Sequence, residues 1–243
     1  MIYKGVRGQV TYGEAIGILL LDYYAPFIPG DVGNASTYSF PVRYELIEGL
    51  TFERLLKKDR TVLEPLIEAG RKLVKKHGVR AITADCGFFA LFQKEMANEL
   101  GVPVFMSSLL QVPFISRIIG DGNKVGILTS NSKGLDESFL NAVGIDKSTI
   151  KITGLENYEN FRGFGVEETG ILDRNIIEQE IVSAALDLVN NDPEVKSILL
   201  ECSMMPPYGE LVQKAVNLPV FDFITMINYV YTAVVKKKYD GFM

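Results

Sequence analysis

The chain has 243 residues and a formal net charge of −5, with 47% hydrophobic and 23% charged residues, the balance of a water-soluble globular protein long enough for two lobes of ordinary size or one large α/β unit. Its one basic block, Lys236–Lys238, does not make the clustered Lys and Arg surface that nucleic acid requires. Two cysteines and one histidine are too few for a disulfide scaffold or a convincing zinc site, so no metal is expected and a reducing cytoplasm is the expected compartment.

Ile16–Leu21 is a continuous apolar run, the pattern of a strand covered on both faces in a parallel sheet. It is too short to span a membrane and lacks the flanks of a signal peptide. Asp22 ends this strand and either faces a cleft or lies away from it. Residues 25–41 include Pro26, Pro29, Gly30, Asp31, Gly33 and Asn34, all turn formers. The Pro29–Asn34 stretch reads either as a lid carrying Asn34 to a ligand or as a turn-rich surface loop. A second strand is predicted over Arg43–Ile47, then a helix from Val62 to His77. Lys75, Lys76 and His77 suit the negative end of that helix, and Gly78 its left-handed cap. A strand over Arg80–Ala84 leads into Asp85 and Cys86. A helix is expected from near Phe88 to Leu100, then a strand at Val104–Phe105.

The second half repeats this order. Lys124–Thr129 echoes residues 15–20, with Gly126 matching Gly17 (126 − 17 = 109). The apolar stripe Ile176, Ile177, Ile181, Ala184, Ala185, Leu188 and Val189 predicts a helix over Asp173–Asn190. Ser197–Leu200 leads into Glu201 and Cys202, and Pro206 and Pro207 suit the first turn of a helix starting near Pro207. A strand at Phe221 and a helix over about 224–237 close the chain.

The two cysteines organise this pattern. Their offset is 116 residues (202 − 86), and the same offset carries Pro103-Val104-Phe105 onto Pro219-Val220-Phe221 (219 − 103). Two copies of a strand–Cys–helix–strand unit predict an α/β fold of two similar Rossmann-like lobes. Each has a parallel sheet, and a pseudo-twofold axis relates them. The expected boundaries are 1–113 plus 222–243 for the first lobe and 114–221 for the second. Parallel sheets bind ligands beyond the carboxyl ends of their strands, so the site is expected between the lobes, with Cys86 and Cys202 facing it. Two such thiols suit two-base proton transfer at a carbon, one on each face. Helix N-termini after both cysteines are expected to lower the thiol pKa values. A small buried cysteine is the bland alternative for either alone, and a disulfide is disfavoured by the compartment. Asp85 and Glu201 read as a relay beside the thiols or as strand-end structural acids. Thr129 and Ser130 begin a turn that can hold a carboxylate, cap a helix, or do both. Ser203 can donate in the same way.

These residues carry a family resemblance. Cys86-Gly87-Phe88 and Cys202-Ser203-Met204-Met205-Pro206-Pro207-Tyr208 resemble the aspartate/glutamate/hydantoin racemase superfamily over nearly the whole chain from about Ala15. The resemblance implies two α/β lobes, no pyridoxal phosphate or other cofactor, and Cys86 and Cys202 as paired acid/base residues. It implies a carboxylate held by backbone and hydroxyl groups at Gly87, Phe88, Thr129, Ser130 and Ser203. Glutamate racemases carry Asn-Thr and Thr-His after their cysteines. Phe88 and Met204 replace polar groups there, which implies a less polar substrate than glutamate. The expected function is therefore an isomerase, a racemase of an amino acid, hydantoin or related compound. A maleate-isomerase-type or decarboxylase-type enzyme of the same fold, or a non-catalytic two-lobed binding protein, are the alternatives. The expected partners are a small carboxylate substrate and a second copy of the chain in a homodimer or larger homo-oligomer, with neither nucleic acid nor membrane.

Overall fold

The computed structural model describes residues 2–243 and contains two four-stranded, fully parallel sheets. The strands are β1 (Ile16–Leu20), β2 (Val42–Leu46), β3 (Ala81–Ala84), β4 (Val104–Phe105), β5 (Lys124–Thr129), β6 (Ile150–Gly154), β7 (Val195–Leu200) and β8 (Val220–Phe221). The helices are α1 (Phe52–Leu56), α2 (Leu63–Lys72), α3 (Gln93–Leu100), α4 (Val112–Ile118), α5 (Glu137–Ala142), α6 (Glu159–Gly165), α7 (Arg174–Asn191), α8 (Gly209–Val216) and α9 (Phe223–Val234). The strand orders are β2-β1-β3-β4 and β6-β5-β7-β8, so the two sheets share one topology. The register repeats as well. Ile82 pairs with Val104 and Thr83 with Phe105, while Ile198 pairs with Val220 and Leu199 with Phe221.

Burial follows the apolar runs. Ile16, Ile18 and Leu19 in β1 are buried, as are Val125, Ile127 and Leu128 in β5, as expected of central strands covered on both faces. Gly17 and Gly126 let a helical segment close on each of these strands. A Cβ on Gly17 would lie 2.9 Å from Leu73, and one on Gly126 would lie 2.7 Å from Leu188 and 2.9 Å from Val195. After crossing to the second sheet the chain returns, and α9 packs Phe223, Met226 and Ile227 against Ile16, Ile18 and Phe105 of the first. One apolar cluster runs through both halves, joining Phe88, Phe89 and Leu19 to Phe139, Val125 and Leu199.

Two expected helices begin later than their sequence suggests. Gly87–Phe92 after Cys86 and Pro206–Tyr208 after Cys202 are 3₁₀ turns, and α3 and α8 start only at Gln93 and Gly209. The helix predicted over Val62–His77 is a 3₁₀ turn at Arg60–Val62, then α2, then a π-helical turn at Leu73–His77 closed by Gly78 at φ +69°. Among the described residues no helix is long and apolar enough to cross a membrane.

Candidate active site

The carboxyl ends of β1, β3, β5 and β7 converge on a narrow cleft. It encloses about 350 Å³ out to its mouth, of which about 30 Å³ admits the centre of a water molecule, room for about two waters. Its polar wall is Tyr23, Asp85, Cys86, Ser130, Cys202 and Ser203; its apolar wall is Leu21, Phe27, Phe52, Gly165 and Met204. None of these lining residues is a lysine, arginine or histidine. Both thiols are free, Cys86 partly exposed and Cys202 buried.

The two acids before the cysteines hold the strand ends together. Asp85 accepts the Leu21 N–H on both carboxylate oxygens, at 3.0 and 3.2 Å. Glu201 accepts the Thr129 hydroxyl on Oε2 at 2.8 Å, and its buried Oε1 has no hydrogen-bond partner among the described residues. Each acid thus ties its own strand to the neighbouring first strand of its sheet. Burial pushes both carboxyls up to about 7, since desolvation disfavours the charged form. Two cross-links join the halves at this level. The Ser203 hydroxyl donates to the Asp85 carbonyl, and the Ser108 hydroxyl donates to the Glu201 carbonyl at 3.1 Å.

The thiol pKa values move against the sequence expectation. Burial, followed by the Glu201 carboxylate, pushes both Cys86 and Cys202 well above the ordinary thiol value. The backbone N–H of Phe88 and that of Met204 do favour the respective thiolates. They are outweighed because the thiols are desolvated among acids, and because Cys86 precedes a 3₁₀ turn and Cys202 a hydrogen-bonded turn, neither of them a full helix N-terminus.

Of the sequence candidates, Cys86, Cys202, Ser130, Ser203 and Met204 line the cleft. The other candidates do not line it. Asp22 is exposed, and its Oδ2 accepts the Gly49 N–H at 2.9 Å, closing the turn after β2. Asn34 caps the 3₁₀ turn Ala35–Thr37 and donates to the Phe27 carbonyl at 2.8 Å, so it organises the loop. That loop is neither free nor purely superficial, since Asp31 and Val32 are buried and the Val32 N–H donates to the Ser203 carbonyl at 3.4 Å. Gly87 serves by lacking a side chain: its Cβ would lie 1.7 Å from the Glu201 Oε1. Phe88 sits behind the wall, edge-on to Phe52 at 5.4 Å and to Phe139 at 5.1 Å between centroids. Thr129 spends its hydroxyl on Glu201.

Sequence reasoning missed Tyr23, Phe27, Phe52 and Gly165 as wall residues. Tyr23 had a usable signal, standing three residues past the end of β1 on the binding edge of the sheet. Phe52 and Gly165 come from α1 and α6, remote in sequence from both cysteines, and only tertiary packing brings them in.

A dimethylsulfoniopropionate lyase of Durusdinium sp. clade D is 32% identical over 222 residues, covering 88% of this chain and 73% of that protein. The chain belongs to the dimethylsulfoniopropionate lyase family. Dimethylsulfoniopropionate lyase 5 of Emiliania huxleyi is 31% identical over 232 residues, which cover 90% of this chain and 45% of that relative, so the chain spans about half of that longer protein. No family model matches the chain. Among solved structures, an unliganded arylmalonate decarboxylase superposes with a TM-score of 0.58 at 15% identity, over 93% of this chain and 96% of its own. A glutamate racemase isoform of Bacillus anthracis superposes with a TM-score of 0.58 at 14% identity, over 92% of this chain and 85% of its own. The fold is therefore the two-lobed α/β fold that these decarboxylase and racemase structures share. The racemase function read from the paired cysteines is overturned: the relatives that share this sequence over most of its length are lyases, not isomerases. Paired thiols supply proton transfer, and proton transfer alone does not separate the two reaction classes.

Proposed function

We propose that the protein is a lyase that cleaves dimethylsulfoniopropionate by β-elimination at the Cys86–Cys202 cleft. The observation that carries this reading is the composition of the wall: two free thiols among aromatic rings and a buried acid, with no cationic side chain. The substrate named by the relatives brings its own cation, a sulfonium, two carbons from its carboxylate. Aromatic faces such as those of Tyr23, Phe27 and Phe52 suit a weakly hydrated cation. In the reaction one thiolate takes the proton from the carbon beside the carboxylate. The C–H electron pair becomes the new carbon–carbon double bond. The carbon–sulfur bond breaks, and its pair leaves with sulfur as dimethyl sulfide; acrylate remains.

The raised thiol pKa values fit this chemistry. A proton beside a carboxylate is weakly acidic, so a strong base is needed, and a thiol with high proton affinity is a stronger base once ionised. The arriving sulfonium favours that ionisation. At about 5 Å and an effective dielectric near 20, one positive charge is worth about 3 kcal/mol, roughly two pKa units. The base is thus armed by its substrate.

The test is release of dimethyl sulfide and acrylate from dimethylsulfoniopropionate by the purified protein, with Cys86→Ser and Cys202→Ser alongside. The protein should release both products, and loss of the base thiol should cut the rate by about 10²–10⁴. Absence of both products with the folded protein, or undiminished rates in both variants, would overturn the reading.

A further inference from the structure

Tyr23 is placed and equipped for a role that neither cysteine can fill. It lies just past β1 on the cleft wall, its ring 6.5 Å from that of Phe27, and it packs against the apolar clusters of both halves. Its hydroxyl is buried and makes no hydrogen bond among the described residues. A buried hydroxyl without a partner is a cost that folded proteins seldom leave standing. Here the orphan belongs to a residue on the cleft wall, and burial, with Cys202, Glu168, Cys86 and Asp85 nearby, keeps its proton on.

The substrate's carboxylate poses the complementary problem. No lysine, arginine or histidine lines the cleft to receive it. Of the wall hydroxyls, that of Ser203 is already spent on the Asp85 carbonyl. Two remain, on Tyr23 and Ser130. When the neighbouring proton leaves, the two carboxylate oxygens take up the developing charge as an enediolate. A neutral donor already in place stabilises that charge without reorganisation, and a phenol burial keeps protonated is such a donor.

Resting on the elimination reading above, we propose that the Tyr23 hydroxyl binds the substrate carboxylate and donates to the enediolate as the proton departs. Tyr23 is then a specificity residue as well: it selects sulfonium compounds that bear a carboxylate over those that do not. Its ring and its hydroxyl act at opposite ends of the ligand.

The test separates ring from hydroxyl. Tyr23→Phe and Tyr23→Leu are compared with the unaltered protein for turnover of dimethylsulfoniopropionate. Each is also tested for inhibition by dimethylpropylsulfonium, which keeps the cation and lacks the carboxylate. Tyr23→Phe should lose about 10²–10³ in kcat/KM, mostly in kcat, while the inhibition constant of dimethylpropylsulfonium stays within about twofold. Tyr23→Leu should lose both. If Tyr23→Phe turns over substrate within about threefold of the unaltered protein, the proposal is overturned. Equal weakening of substrate and inhibitor in Tyr23→Phe also overturns it, since the hydroxyl would then be shaping the pocket. Should the unaltered protein release no dimethyl sulfide, the elimination reading fails first, and that result is distinct from either of these.

Discussion

Asp85 and Glu201 are acids folded into places that prefer them neutral. Each is pushed up to about 7 by burial, so the folded protein keeps two protons that the unfolded chain gives up near pH 4. Protons bound more tightly in the folded state make stability fall as pH rises. The contribution is fully present at the acid side, declines between about pH 4 and 7, and is constant above, at most about 1.4 kcal/mol per pH unit for each acid. Asp85→Asn keeps an oxygen for the Leu21 N–H and removes the ionisation. Its melting temperature should vary less than that of the unaltered protein over this window, and should exceed it at pH 8. The thiols set a second pH dependence, in activity. Because burial and Glu201 hold Cys86 and Cys202 well above the usual thiol range, kcat/KM, which reports the free enzyme, should climb through the alkaline range. The kcat profile, which reports the complex, should lie at lower pH because the bound sulfonium favours the thiolate. Coincident profiles would remove the argument that the substrate arms its base.

At the level of elements, the paired glycines of the two central strands offer a comparison inside one molecule. Gly126→Ala would press its methyl against Leu188, Val195 and Ile198 at 2.7–3.0 Å, whereas Gly17→Ala meets Leu73 at 2.9 Å and Val79 at 3.3 Å. Overpacking of this kind costs on the order of 1–3 kcal/mol, and Gly126→Ala should show the larger drop in urea midpoint. The strands that the sequence displayed best are the buried central ones: β1 is an unbroken apolar run, and β3, β5 and β7 carry the short runs Ala81-Ile82, Val125–Leu128 and Ile198–Leu200. The edge strand β6 escaped, because only Ile150 of its five residues is buried and no continuous apolar run marks it. The turns after both cysteines were read as helix starts. In Gly87–Phe92 every residue but the glycine is apolar, and a segment apolar all round has no stripe to distinguish a 3₁₀ from an α-helical winding. The cysteine offset revealed which residues face each other across the cleft, since both halves keep one register. Tyr23 and Phe27 of the segment after β1, with Phe52 of α1 and Gly165 of α6, complete the wall, and no spacing in the chain announces the last two.

Across the whole molecule the halves are joined by more than their shared core. The Tyr24 N–H donates to the Glu168 carboxylate at 3.0 Å, and the Tyr24 ring lies so close to Gly170 that a Cβ there would come within 2.2 Å of it. Glu168 holds this position at φ +54°, a conformation uncommon for a residue with a side chain. The contact fastens the segment after Gly165 to the one after Tyr23, both of which border the cleft. Glu168→Ala should loosen it and speed alkylation of Cys86 by iodoacetamide several-fold, measured by mass spectrometry; an unchanged rate would show that the contact has no part in access. The narrowness of that cleft has a consequence for durability. Peroxide attacks thiolates, and attacks those that solvent reaches. Cys202, buried and kept protonated, is spared on both counts, and the partly exposed Cys86 by its protonation alone. On the elimination reading, the moment of greatest susceptibility to oxidants is the moment of turnover, when an arriving cation ionises the sulfur, so the wear on this protein should track the number of substrates it has met and not the time it has spent in an oxidising medium.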